Sequence, residues 1–392
     1  MQQHARAALA ALLLVAPALD ARADAVLDWN QRANEVVVES RMGTPPAMRA
    51  MAMVQTAVHE AVQAAAPGAS LEAAVAAANR ATLAKLVPAQ QATIERAYQA
   101  ALAQIAEGRA RNAGIEAGER AAAAVLAARA DDAGTPREPY RPHTSAGVYV
   151  PTASPAAPQW GGRKPWLMTD PAQFRPAPPP ALTSSTWVRD FNEVKTLGAK
   201  ASSVRTPEQA DIAQFWEYSL PPIYHGVIRS VAAQPGRDVK QNARLFAAAT
   251  QALDDALIAV FDAKYHYHFW RPVTAVRNGD IDGNPATERD AGWTAFHDAP
   301  MHPEYPSGHA ILAGALGAVL EAELAGSRTP LLSTSSPSAK NAVRRWTSVG
   351  AFVQEVSDAR IYAGIHFRTS VDVGTAMGRQ IGTLAAQKHL AP

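Results

Sequence analysis

The chain of 392 residues contains no cysteine. This absence excludes disulfide bonds, thiolate nucleophiles and zinc sites built on cysteine. The formal net charge is only +2 at pH 7, and no run of Lys or Arg forms a basic patch. The composition therefore gives no reason to expect nucleic-acid binding. The metalloprotease, P-loop and serine-hydrolase motifs are missing as well.

The first residues have the composition of a secretory signal. His4 and Arg6 give a weakly positive start, residues 7–16 form a short apolar core, and Ala21-Arg22-Ala23 offers a cleavage site of the A-x-A kind. A membrane anchor is the alternative, but this apolar core is too short to span a bilayer. We predict a signal peptide over residues 1–23 and a periplasmic or secreted mature protein without a transmembrane segment.

The rest of the chain has the pattern of an all-α protein with long proline-rich loops. Alanine is abundant and runs of β-branched residues are short, which favours helices. We predict an N-terminal helical scaffold over residues 24–235, with a proline-rich connection at 131–182, and a C-terminal helical domain over residues 236–392. An alanine-rich helical surface permits a homo-oligomer without requiring one. The apolar periodicity predicts no sheet, loops at 277–305 and 327–338, and helices at 46–66, 71–86, 89–130, 187–199, 207–218, 222–233, 239–270, 309–325, 339–362 and 370–388.

Three short segments of the C-terminal half carry the candidate chemistry, and the first contains two cations. Lys264 and Arg271 lie about two helical turns apart, so they share one face of a helix. Pro272 ends or kinks that helix directly after Arg271. No acidic residue lies between the two cations, so the pair favours an anionic ligand. A solvated basic face is the alternative for this segment alone.

The second segment, Pro306-Ser307-Gly308-His309, stands directly before an apolar helix. Ser307 is placed as the N-cap, and Gly308 lets the backbone approach a ligand closely. The free N–H groups and the dipole of a helix N-terminus attract anions, and His309 would lie in the first turn. An ordinary serine cap followed by a structural histidine is the alternative.

The third segment pairs Arg360 with His366. On one continuous helix these two side chains would point in different directions. Gly364 between them can end the helix and turn the chain, so that both side chains converge on one point. An arginine at a helix end followed by a loop histidine is the alternative.

In this order the three segments resemble the superfamily of vanadium-dependent haloperoxidases and type 2 phosphatidic acid phosphatases, whose pattern is K-x6-R-P, then P-S-G-H, then S-R-x5-H. The resemblance runs from Lys264 to His366 and implies a helical-bundle fold with vanadate as cofactor, in a site that phosphate can also occupy. It implies that His366 bonds the central atom of the oxyanion and that His309 is the acid–base residue. It also implies catalytic cations and hydrogen-bond donors that hold the oxyanion: Lys264, Arg271, Ser307, Gly308 and Arg360.

Two positions depart from the family pattern. Ala359 precedes Arg360 where the family has serine. Four residues after the ligand histidine the family often has an acid that orients its ring, but this chain has Ser370 there, with Asp372 two residues later. The sequence therefore leaves the orienting partner of His366 open.

The resemblance favours a haloperoxidase within this superfamily. An exported chain with a large helical N-terminal half, and the sequence His366-Phe367-Arg368, are similar to bacterial haloperoxidases. The implied reaction is oxidation of halide by hydrogen peroxide to hypohalous acid. His302 stands where haloperoxidases carry an aromatic residue or a histidine that influences halide use, which implies bromide or iodide. Trp270 is a further candidate for the halide site.

Two alternatives stay open. In the first, the protein is a secreted acid phosphatase of the same superfamily, and His366 attacks a small phosphomonoester. His309 then protonates the leaving group, and the phosphohistidine is hydrolysed. In the second, the chain is a helical protein that binds an oxyanion without catalysis.

Overall fold

The structure is a computed structural model that describes residues 24–133 and 140–391. The predicted signal peptide, residues 1–23, lies outside the described residues. Within them the fold is all-α, as the sequence predicts, with one small antiparallel sheet. None of the described helices is long and apolar enough to cross a membrane. The elements are α1 (Ala25–Glu39), α2 (Thr44–Ala64), α3 (Leu71–Leu86), α4 (Gln91–Leu102), α5 (Arg109–Ala128), α6 (Ser185–Leu197), α7 (Pro207–Phe215), α8 (Pro221–Ala232), α9 (Val239–Tyr267), α10 (Pro272–Arg277), α11 (Gly308–Glu323), β1 (Leu332–Ser336), β2 (Ala342–Trp346), α12 (Val349–Tyr362) and α13 (Arg368–His389).

The N-terminal helices pack through small side chains. A Cβ atom at Gly118 of α5 would lie only 2.5 Å from the carbonyl oxygen of Ala74 in α3, so these two backbones touch. Helix α2 is almost wholly buried, because it packs against α3 and α5 as well as α9. This part of the protein therefore supports α9 along one side.

Helix α9 is the central helix of the fold. A capping box between Asp238 and Gln241 starts it, and nearly every residue from Asn242 to Lys264 is buried. It packs against α2, α11 and α13. Because its last turns lie inside the protein, Lys264 is held with its charge away from water.

Helices α11 and α13 form a close pair that positions the start of α11. A Cβ atom at Gly378 of α13 would lie 2.1 Å from the carbonyl oxygen of Ile311. At the same end of the pair, the backbone N–H of Ser307 donates to the carbonyl of Ser370 at 3.0 Å. The N-terminus of α11 is thus fixed beside the start of α13.

Residues 140–182, which form most of the predicted proline-rich connection, make up a segment that we call the strap. It lies along α9 and is held by buried carboxylates. The Asp255 carboxylate accepts hydrogen bonds from the backbone N–H groups of residues 166, 167 and 168, at 2.7, 2.8 and 3.1 Å. Arg175 of the strap donates twice to Asp262, at 2.8 and 3.0 Å. These bonds explain how a segment whose regular structure is limited to a 3-10 turn at Trp160–Gly162 and one β-bridge at Val148 packs against the core.

Several element predictions were wrong in detail. Helix α1 was not predicted, and the single helical region at 89–130 is two helices, α4 and α5. The absence of a sheet was also wrong, because β2 occupies the start of the helix predicted at 339–362 and pairs with β1. Lys340 and Asn341 have φ angles of 53° and 60°, which is the backbone of a tight hairpin turn.

Candidate active site

Helix ends and loops bring the predicted residues of all three segments together. Lys264 comes from the last turns of α9, Arg271 is the N-cap of α10, and Ser307 is the N-cap of α11. Arg360 lies in the last turn of α12, and His366 lies between α12 and α13. Nη1 of Arg271 lies 3.3 Å from Nε2 of His366, and the charges of Arg271, Lys264 and Arg360 all lower the pKa of His366.

Gly364 makes the turn that returns His366 to this centre. Helix α12 ends at Tyr362, and Gly364 has a φ of 75°, in the left-handed region. A Cβ atom there would lie 2.2 Å from the carbonyl oxygen of Gly198. Only glycine fits this turn, which the sequence predicted.

Glu304 orients the His366 ring. One oxygen of its carboxylate, Oε1, lies 2.7 Å from Nδ1 of His366 and accepts the backbone N–H of Phe367 at 2.9 Å. Ser370 lies farther away, with its hydroxyl 3.5 Å from the same Nδ1, and Asp372 is exposed. The partner that the sequence left open is therefore an acid from the loop before α11.

The Glu304 contact also sets the tautomer of His366. Burial lowers the pKa of His366 well below its ordinary value, and the neighbouring cations lower it further. The ring is therefore neutral, with its proton on Nδ1 facing the carboxylate. The lone pair of Nε2 is left facing Arg271, whose Nη1 lies 3.3 Å away. A neutral nitrogen among cations is suited to bond an electrophilic centre that carries negative oxygens.

Lys264 is fully buried and donates to three backbone carbonyls. Its Nζ lies 3.0 Å from the oxygen of Pro303, 2.8 Å from that of Glu304 and 2.5 Å from that of Pro306. An ammonium group has three N–H donors, so all of them are engaged. In this structure Lys264 acts through its charge and by holding the loop 303–306. A direct contact with an oxyanion requires exchange of one of these bonds.

Arg271 connects His302 to His366. Its Nε donates to the carbonyl of His302 at 3.0 Å, and its Nη2 lies 3.0 Å from Nδ1 of the same residue. Burial lowers the pKa of His302 well below its ordinary value, so this ring is neutral and accepts from the guanidinium. The His302 ring also stands edge-on to Phe261, with centroids 5.3 Å apart. The candidate halide residue His302 therefore lies beside the cation centre.

Arg360 and His309 each have an unused polar atom within the site. Arg360 donates from Nη2 to the carbonyl of Trp216 at 2.7 Å, while its Nε is buried without a partner. Nε2 of His309 is also buried without a partner. Burial and the charge of Arg360 lower the pKa of His309, and the carbonyl of Tyr218 opposes this effect. Buried polar atoms without partners are rare in proteins, and here both belong to predicted site residues.

The balance of buried charge calls for an anion. Lys264, Arg271 and Arg360 are at most 2% exposed; Glu304 is the acid that faces Lys264 and Arg271, and Glu217 is the acid near Arg360. Burial lowers the pKa of Arg271 and of Arg360 to about 10, so both remain charged at neutral pH. Buried charges of one sign are costly unless they are paired.

The donor set fits vanadate or phosphate. The space beside Gly308 is open, since a Cβ atom there would have no heavy atom within 4 Å. The N-terminus of α11 and the Ser307 hydroxyl border this space, and they suit the oxygens of a tetrahedral anion. No group of three histidine or carboxylate side chains among residues 24–133 and 140–391 could hold a bare metal ion. The donors of the site are therefore suited to an oxyanion.

Trp270, the other candidate halide residue, lies in an aromatic core. Its ring stacks on Trp187 with centroids 5.9 Å apart, and Phe269 and Phe367 belong to the same cluster. Its indole Nε1 is buried without a partner. The structure brings His302, but not Trp270, into contact with the predicted cations.

The site residue that sequence reasoning missed is Glu304. It lies in the loop predicted at 277–305, and its contact with His366 spans 62 positions of the chain. The family pattern places the orienting acid after the ligand histidine, whereas Glu304 precedes His366 in the sequence. An acid three residues before Ser307 was the available signal.

Fold and site together define an all-α protein with a histidine and three buried cations around an oxyanion pocket, and comparisons with known proteins agree. Residues 244–391 match the family described as the second helical-bundle domain of VCPO. A curated relative, vanadium chloroperoxidase from Curvularia inaequalis, is 28% identical over 211 residues, which are 45% of this chain and 34% of that protein. The chain therefore spans about a third of the length of this relative.

Solved structures extend the likeness over nearly the whole chain. A bacterial vanadium-dependent iodoperoxidase has a TM-score of 0.77 at 23% identity, covering 93% of this chain and 96% of that one. The holo-type bacterial vanadium-dependent chloroperoxidase has a TM-score of 0.66 at 20% identity, covering 89% and 94%. These structures show that the chain has the helical fold of the vanadium haloperoxidases, and the family match over residues 244–391 and the curated relative agree with the resemblance seen in the sequence.

Proposed function

We propose that this protein is a vanadium-dependent haloperoxidase that oxidises halide with hydrogen peroxide to hypohalous acid. The observation that carries the proposal is the neutral His366 ring, whose Nδ1 proton is held by Glu304 at 2.7 Å and whose Nε2 faces a buried cation cluster. The relatedness to vanadium haloperoxidases supports the same reaction.

Each residue of the site has a role that follows from its position. His366 would hold vanadate through Nε2, and Arg271, Arg360 and Lys264 would neutralise its oxygens. Ser307 and the Gly308 N–H would donate hydrogen bonds at the start of α11. When bound, vanadate supplies a Lewis acid that polarises peroxide toward attack by halide.

Proton transfer falls to His309. Its neutral ring has a free Nε2, which can take a proton from hydrogen peroxide as peroxide enters the site. The overall reaction consumes one proton, one peroxide and one halide ion and releases hypohalous acid and water. His309 can return its proton to the departing oxygen.

We further propose bromide or iodide as the halide. His302 contacts Arg271 and stands edge-on to Phe261, so an anion near Arg271 would meet an imidazole and an aromatic edge. Large polarisable halides tolerate such a surface better than chloride does. A signal peptide over residues 1–23 and a periplasmic or secreted location belong to the same proposal.

A second candidate is an acid phosphatase acting on small phosphomonoesters. The same neutral Nε2 of His366 could attack phosphorus, and the same cations would hold the phosphoryl oxygens. His309 would then protonate the leaving group.

A paired assay on the purified mature protein separates the candidates. One sample, freed of vanadium, receives a chromogenic phosphate ester, and the other receives orthovanadate, hydrogen peroxide and bromide or iodide. The proposal predicts fast halide oxidation that requires vanadate, slow ester hydrolysis, and loss of halide oxidation in His366→Ala but not in the exposed control His266→Ala. Fast hydrolysis inhibited by vanadate would establish the phosphatase instead. Tight vanadate binding without either turnover would leave a binding protein.

A further inference from the structure

A second cavity, with both apolar and charged lining residues, lies far from the oxyanion pocket. It has a volume of about 480 Å³ and is bordered by α2, α5, α9, α13 and Trp166 of the strap, within the range of small-molecule sites. Gln251 of α9 lines it, thirteen residues before Lys264 on the same helix. That separation corresponds to about 20 Å along the helix axis. The cavity is therefore not part of the candidate active site.

One wall of this cavity is apolar and shallow. Helix α5 presents small side chains, and α2 adds one more. Two of these alanines, Ala124 and Ala128, are exposed, so the wall is open to a ligand from solvent. The apolar lining consists of Ala64, Ala117, Ala121, Ala124, Val125 and Ala128.

The opposite end of the cavity has more hydrogen-bond donors than acceptors. Nζ of Lys388 has three N–H groups, and its contact with the described residues is a long one of 3.4 Å to Oε1 of Gln251. The same oxygen lies 2.9 Å from Nε2 of His389. Two donors thus share one neutral acceptor.

Arg129 adds a second cation to the lining of the cavity. Its side chain is stacked over Trp166, with the guanidinium carbon 3.5 Å from the ring centroid, and the residue is 9% exposed. Its Nη1 donates to the carbonyls of residues 164 and 165, at 2.9 and 3.1 Å. The other N–H groups of the Arg129 guanidinium have no hydrogen bond to the described residues and are not among the buried atoms without a partner.

The acids near Arg129 are committed elsewhere, beginning with Asp132, which pairs with Arg49 and Arg163. Asp255 accepts the three backbone N–H groups of the strap. Asp254 accepts Nε1 of Trp166 at 2.8 Å, and burial raises its pKa to about 7. Glu60 is exposed at the rim. Burial lowers the pKa of Arg129, which is 9% exposed, a cost that a bound anion would offset, whereas Lys388 is exposed and reachable from solvent.

We propose that this cavity binds an organic carboxylate with a short apolar chain. The carboxylate would pair with Lys388 and Arg129, and the chain would lie on the alanine wall of α5. A hydrophobic acid of about eight carbons matches a site with one cationic end and one apolar wall. This inference does not rest on the proposed haloperoxidase function.

Titration calorimetry of octanoate into the full chain tests the proposal. Ala124→Phe fills the cavity from an exposed position, and Lys388→Met removes the charge near the end of α13. Lys85→Met is the matched control, because Lys85 is also a lysine in the last turn of a helix. We expect one octanoate site, about tenfold weaker in Lys388→Met, lost in Ala124→Phe and unchanged in Lys85→Met.

Three results would overturn the proposal. The first is no binding of octanoate to the unmodified chain, and the second is equal binding by all three variants. The third is binding of inorganic phosphate, titrated separately, as tightly as octanoate and with the same dependence on Lys388. In that case the site takes a simple anion and the apolar wall has no role. Thermal melting of each variant ensures that weakened binding is not loss of fold.

Discussion

Glu304→Gln should make the protein more stable at neutral pH and less active. Burial raises the pKa of Glu304 from 4.5 to about 7, although Arg271 and Lys264 act in the opposite direction. Glutamine keeps the shape of the side chain and cannot ionise. The variant therefore isolates the effect of the carboxylate charge on both stability and catalysis.

The sign of the stability effect follows from proton binding. Between about pH 4.5 and pH 7 the unfolded chain has lost the Glu304 proton while the folded protein still holds it. The free energy of unfolding of the wild type therefore falls as pH rises through this window and levels off above it. A pKa difference of one corresponds to about 1.4 kcal/mol, so the variant gains at most about 3 kcal/mol over the wild type by pH 7.

Activity should move in the opposite direction. The Glu304 carboxylate accepts the Nδ1 proton of His366 at 2.7 Å and so keeps Nε2 unprotonated. A neutral amide is a weaker acceptor than a carboxylate, and loss of such an outer partner typically costs ten- to a hundredfold. We expect turnover to fall by at least about tenfold.

Thermal or denaturant unfolding from pH 4 to pH 8, together with turnover at pH 7, measures both effects. Asp372→Asn is the matched control, since it removes a nearby exposed acid that does not contact His366. A stability difference between variant and wild type that does not change with pH would refute the reasoning. Equal activity of Glu304→Gln and wild type would refute the positioning role.

Three other changes have outcomes set by the structure. Gly308→Ala should fold normally, because the added Cβ atom meets no heavy atom within 4 Å. The methyl group would enter the space of the anion, so we expect vanadate affinity to fall by at least about tenfold. Equal affinity of variant and wild type by calorimetry would contradict this. Removal of vanadate and phosphate by dialysis should lower the melting temperature. Restoring either anion at 100 times its Kd should raise the free energy of unfolding by about 2.7 kcal/mol. An unchanged melting curve would count against the anion site. Asp255→Ala should lower the free energy of unfolding by about 3 kcal/mol or more, since three backbone N–H groups of the strap lose their acceptor. Surface control Asp280→Ala should cost less than about 1 kcal/mol in the same denaturant titration.

The all-α class and the oxyanion centre could be predicted from the sequence because their signals are local. Ser307 is a helix cap and Gly364 makes a turn with a φ of 75°, although the single helix face predicted for Lys264 and Arg271 was wrong, because α9 ends at Tyr267 and Arg271 is the N-cap of α10. Each of these features follows from residues within a few positions. The three segments then converge because α9, α11 and α13 pack against one another.

The partners of these residues could not be predicted, because they depend on contacts between distant segments. Glu304 reaches His366 only when the loop before α11 is held by Lys264. Asp255 anchors the strap from a distance of 88 positions. The pairing of β1 with β2 was missed for a similar reason, since short polar strands have no clear apolar alternation.

A crystal structure of the protein soaked with orthovanadate tests the central claim most directly. We expect density for vanadate continuous with Nε2 of His366, bordered by Arg271 and Arg360 and lying at the N-terminus of α11, and its loss in His366→Ala. Vanadate bound elsewhere, or an empty pocket in crystals of active enzyme, would contradict the assignment of His366 as the residue that bonds the oxyanion.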